Sequence, residues 1–148
     1  MSIYTIIESV VASLSIENTS PDQAPTFREG WRQFQNLVDD EQLTDIIYLD
    51  WPIKSDDTLT GASVHERFTV KMAFLEKSEL EYTPEQHRPI IDRQRRQKNK
   101  FLFALSQANF VDEITDASSS DIINVFNSNK SGVDLQFRIK IAPSEPLC

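Results

Sequence analysis

The chain has 148 residues, 39% of them hydrophobic, and a formal charge of −8. That suits one domain over 1–148 with an ordinary core rather than disorder. No apolar run approaches the roughly 20 residues that span a bilayer, so no membrane partner is expected, and an acidic body repels nucleic acid as a whole. The one cysteine, Cys148, is the last residue, which leaves no intrachain disulfide or thiolate metal cluster.

Ile3, Ile6, Ile7, Val10, Val11 and Leu14 recur at helical spacing, predicting a helix that Ser2 caps and that ends near Ser15. The segment has no Lys or Arg before its apolar stretch and carries Glu8 inside it, so it reads as a helix rather than a signal peptide. Glu17 to Pro25 reads as a loop. Thr26 and Glu29 then stand at capping-box spacing, and Phe27, Trp31, Phe34, Leu37 and Val38 line one face of a second predicted helix.

Thr44 to Ile53 predicts a strand that enters a Pro-bearing bend, and Ser55 to Ser63 a polar connection. In the strand Val64 to Leu75, Phe68, Val70, Met72 and Phe74 alternate with polar or small residues. Thr83-Pro84-Glu85-Gln86 opens a long helix with a cap, a first-position proline and a capping-box glutamine. Pro89 either kinks it or starts its regular part. Ile90, Ile91, Gln94, Lys98, Phe101, Leu102 and Leu105 share one face, with Arg93, Arg96 and Lys100 opposite and Phe103 and Phe110 off the apolar side. After a loop from Asp112 to Ser120, Asp121 to Pro143 reads as an antiparallel hairpin. Its second arm alternates Val133, Leu135, Phe137, Ile139 and Ile141 with Asp134, Gln136, Arg138 and Lys140. The link from Asn127 to Gly132 consists of turn formers.

The expected fold class is therefore α+β: a small, mostly antiparallel sheet of about four strands with helices packed on one face, in the order α-α-β-β-α-β-β. Three widely separated glycines exclude a phosphate-cradling loop. His65 and His87 fall in different elements, and Asp39, Asp40 and Glu41, or Asp56 and Asp57, lack the alternating ligand pattern of a calcium loop. Ser118-Ser119-Ser120-Asp121 is unlike a nucleophile elbow. No catalytic residue, cofactor or metal is expected.

Six of the fifteen basic residues fall between Arg88 and Lys100. Arginine and aromatic residues are enriched where proteins meet, so Arg88, Arg93, Arg96, Lys100, Phe103 and Phe110 form a candidate subunit interface.

Several segments resemble the small tail-terminator, tail-completion and neck-ring proteins of tailed bacteriophages. They are Phe27-Arg28-Glu29-Gly30-Trp31, the strand from Ile47 to Ile53, the strand from Phe68 to Leu75, Thr83-Pro84-Glu85-Gln86-His87, and Asn124 through Val133. The last is similar to an ending found in such proteins from phages of gut Bacteroidetes, among them the crAss-like group. The resemblance implies a sheet flanked by helices, no catalytic residues and a homo-oligomeric ring. It further implies partners among virion neck, portal or tail proteins, DNA passing nearby without specific binding, and a virion location after synthesis in the host bacterial cytoplasm. The long basic helix and Pro89 depart from that family pattern. The basic helix face alone also fits a monomeric or dimeric protein-binding adaptor domain.

Overall fold

The computed structural model describes residues 2–16, 23–31, 45–125 and 129–142. The first element is helix α1, Ile3–Ala12, whose N-cap Ser2 accepts from the Tyr4 backbone N–H at 3.2 Å. Its apolar stripe lies against a mixed sheet of six strands: β1 Thr26–Gly30, β2 Asp45–Asp50, β3 Lys54–Thr60, β4 Ser63–Lys77, β5 Val111–Val125 and β6 Lys130–Ile141. The second helix among the described residues is α2, Pro84–Ser106.

The sheet runs β1-β2-β4-β6-β5, with β3 paired to β4 off that path. This overturns the expected four-strand α-α-β-β-α-β-β order: six strands and two helices are present among the described residues, and the β1–β2 pair is parallel. Three corrections account for the difference.

First, Thr26–Gly30 is a strand, not the start of a helix. Gly30 has φ 148, a conformation closed to a helix interior, and its carbonyl accepts from the Trp51 N–H at 2.9 Å. Pairing with β2 from Thr26↔Ile46 to Gly30↔Asp50 outweighs the local cap spacing. Phe34, Leu37 and Val38 of the expected helix lie outside the described residues.

Second, the expected polar connection from Ser55 to Ser63 is mostly β3, the other arm of a tight hairpin with β4 that pairs from Lys54↔Thr69 to Thr60↔Ser63. β2 and β3 run in line along the same side of β4, interrupted at the cis Trp51–Pro52 bond. The expected Pro-bearing bend thus returns the chain to the strand it had just left. Trp51 fills the corner, with ring centroids 5.0 Å from Tyr4 and 5.6 Å from Trp31.

Third, the expected loop from Asp112 to Ser120 belongs to β5, which pairs along β6 with three register shifts and left-handed residues at Asp116 and Asn124. Such bulges are common on edge strands, and β5 closes one side of the sheet. Lys130, Ser131 and Gly132, expected in the turn, are the first residues of β6.

Both helices pack on one face. Ile6, Ile7, Val11, Phe101 and Leu105 meet Ile47, Leu49, Val70, Met72, Phe74, Leu135, Phe137 and Ile139 there. Ile46, Tyr48, Ala73 and Leu75 form a second buried cluster, so β2 is buried on both faces. Towards β3 and the far end of β6 the opposite face is polar.

The start of α2 matches its expected chemistry. Thr83 Oγ1 accepts from the Gln86 N–H at 3.3 Å, and Gln86 Oε1 accepts from the Thr83 N–H at 2.8 Å. The helix begins at Pro84 and runs through Pro89. Thr83→Ala removes one of these two bonds and is expected to cost about 1 kcal/mol, read as a lowered midpoint in thermal unfolding followed by circular dichroism.

Candidate functional site

Successive residues of a helix turn by about 100°, so one basic run need not share a face. The cations of α2 divide into two sets. Arg93 faces β4, donating to Glu76 through Nε at 3.1 Å and Nη2 at 2.6 Å. Gln94 joins them, donating to Glu76 at 2.8 Å and Asp45 at 3.0 Å. Arg95 forms an ion pair with Asp121 of β5, and buried Lys98 donates to Ser119 at 3.3 Å. Burial, and secondarily the neighbouring Arg95, pushes the Lys98 pKa down. These three cations fasten α2 to the sheet.

Arg88, Arg96 and Lys100 are exposed on the outward side. Phe103 continues their stripe with 70% of its surface in solvent, and Phe110, past the end of α2, is 40% exposed. Five of the six expected interface residues are therefore exposed, while Arg93 is half-buried and bonded to the sheet.

The sheet face away from the helices carries a second set of polar groups, which the sequence reading did not bring together. Strand alternation puts Asp56, Thr58 and Thr60 of β3, His65 and Arg67 of β4, and Arg138 and Lys140 of β6 on this face. With Glu66 they line a groove of about 440 Å³. Arg138 Nη2 donates to Asp56 at 3.0 Å, and Arg67 lies 3.6 Å from Glu113. Arg138 Nε and His65 Nδ1 are buried without a hydrogen-bond partner. Further along, a shallower hollow of about 310 Å³ is lined by Asp50, Lys71, Asp134, Gln136 and the serines Ser118, Ser119 and Ser120. The visible signal was the alternation of Gln136, Arg138 and Lys140. Its partners on β3 were hidden because β3 read as a connection.

The other candidates separate. His87 is buried at the start of α2 with its ring edge-on to Tyr82, the centroids 5.6 Å apart. Asp56 and Asp57 are neighbours in a strand and point to opposite faces. Among the described residues no group of three or more His, Cys, Asp or Glu stands ready to hold a metal. Asp39, Asp40, Glu41 and Cys148 lie outside the described residues. No family model matches this sequence, and no curated protein matches it.

Proposed function

We propose that the chain is a non-enzymatic structural subunit of a tailed-phage neck or tail, which joins copies of itself into a ring between the capsid portal complex and the tail. The observation that carries this reading is the outward stripe of α2, where Arg88, Arg96 and Lys100 lead to the exposed ring of Phe103. An aromatic group in solvent beside arginines is the composition of a protein interface rather than of a solvated helix. The resemblance in the strands and in the Asn124–Val133 ending supplies the virion context. Negative net charge suits a wall past which DNA slides.

Arg93 is a poor choice for testing the stripe because its loss also frees Glu76. Arg88→Glu with Lys100→Glu and Phe103→Ser is the cleaner variant. It is expected to keep the wild-type circular dichroism spectrum and thermal midpoint while failing to enter particles, as read by cryo-EM of assembled virions. Normal incorporation would remove the stripe from the interface. A wild-type protein that is absent from particles would favour the adaptor reading, in which the same stripe binds a separate protein.

A further inference from the structure

The β3–β4 hairpin reaches past the end of the sheet. β6 leaves β4 at Glu66↔Ile141, and from there to the turn at Gly61 β4 is paired with β3 alone among the described residues. At the rise of a strand this makes an arm roughly 15 Å long. Every residue of β3 is exposed.

One face of the arm holds like charges together. Opposite the groove residues Asp56, Thr58 and His65, strand alternation puts Asp57 and Leu59 of β3 beside Glu66 and Val64 of β4. Asp57 and Glu66 are direct cross-strand partners, and so are Leu59 and Val64. Like charges placed directly opposite destabilise a sheet. The register surrounds this pair with Ser55, Leu59, Val64, Phe68 and Ile141, none of them basic. Neither carboxylate has a hydrogen-bond or ion-pair partner among the described residues. Leu59, next along the strand face, is 70% exposed. Both the charge and the apolar surface are thus left to be satisfied from outside the chain.

The outward stripe of α2 has the inverse pattern. Lys100 and Phe103 are both exposed, and Lys100 has no ion-pair partner among the described residues. Residues three apart on a helix stand about 5–6 Å from each other, and residues two apart along a strand about 6–7 Å. The step from cation to ring on α2 therefore matches the step from acid pair to apolar pair on the arm.

We infer that the β3–β4 arm of one copy lies across the α2 stripe of the next, with Lys100 against Asp57 and Glu66 and the Phe103 ring on Leu59 and Val64. These are different patches of one chain, so the contact is heterologous and closes into a ring or continues as a filament. It rests on the reading of the chain as a self-assembling subunit and names the surface that the α2 stripe meets.

The test has two readouts. In dilute monomer at low salt, Asp57→Asn is expected to raise the thermal midpoint by roughly 1–3 °C, because it relieves the repulsion. In sedimentation velocity over a concentration series, the wild type is expected to associate and this variant to associate more weakly. Reversing the arm by Asp57→Lys with Glu66→Lys, or the stripe by Lys100→Glu, is expected to weaken association at least about tenfold, since like charges then meet. All three changes in one chain restore opposite signs and are expected to return association to near the wild-type level. An Asp57→Asn midpoint at or below that of the wild type would remove the strain from which the contact is inferred. Reversals without effect, or a triple variant no better than either reversal alone, would overturn the contact while leaving self-assembly intact. A wild type that stays monomeric at every concentration would overturn both.

Discussion

Gly132→Ala is expected to be among the most damaging single changes in this protein, at about 3 kcal/mol, the upper end of what overpacking an interior costs. A Cβ built on Gly132 would fall 1.9 Å from the backbone oxygen of Phe74, 3.0 Å from its carbonyl carbon and 3.1 Å from the Leu75 Cα. All three are backbone atoms of β4, the strand that pairs with β6 over its whole length, so no side chain can swing aside. Glycine is here for close approach between strands. Gly61 makes a useful control. It sits at the tip of the β3–β4 hairpin with φ 60 and nothing within 4 Å of an added Cβ. Gly61→Ala therefore meets only backbone strain, about 1–2 kcal/mol. Denaturant midpoints of the two variants should differ clearly. Equal midpoints would mean that β4 and β6 move apart at Gly132 at no more cost than the backbone strain at Gly61.

Gly132 also shows why parts of the fold were legible in the sequence and others were not. It reads as a turn residue because it follows Asn, Ser and Lys, and the strand that crowds it lies more than fifty positions earlier. The legible elements are those with a face in the core. α1 and α2 carry apolar residues at helical spacing behind recognisable caps, and β4 and β6 alternate because one side of each meets the helices. The strands that the sequence hid are β1, β3 and β5 as far as Ser120, each with a single paired neighbour among the described residues. A strand at an edge, wet on much of its surface, can be polar throughout, as in Lys54-Ser55-Asp56-Asp57-Thr58-Leu59-Thr60. Hydrogen bonds from the adjacent strand make it a strand, and those are not written in its own residues.

The candidate site divides in the same way. Phe103 is legible as exposed because helical periodicity places it away from Phe101 and Leu105, which are both fully buried. Arg93 was misplaced because its partner Glu76 belongs to β4, and no local spacing connects them. The groove was invisible from the sequence, since Asp56, Arg67 and Arg138 converge only when three strands are in register.

Phe137→Ala is expected to cost about 3–5 kcal/mol, the combined loss of transfer energy and the cavity left behind. Phe137 is fully buried at the middle of β6, opposite Val70, with its ring centroid 6.2 Å from that of Phe101. Phe101 in turn stands 5.6 Å from Phe74, so three rings from two strands and α2 pack in series where helix meets sheet. The backbone of a hydrogen-bonded sheet cannot collapse into the space that one missing ring would leave, which keeps the cavity term large. Gln136 is the adjacent residue, exposed on the other face, and Gln136→Ala should stay within about 0.5 kcal/mol of wild type. A domain of this size holds only about 5–15 kcal/mol in total. Phe137→Ala should therefore lower the urea midpoint sharply, with the slope of the transition preserved if it remains two-state. Small, equal effects at both positions would contradict the inward orientation of this strand face, and with it the seating of α2 that turns Arg96, Lys100 and Phe103 to the outside.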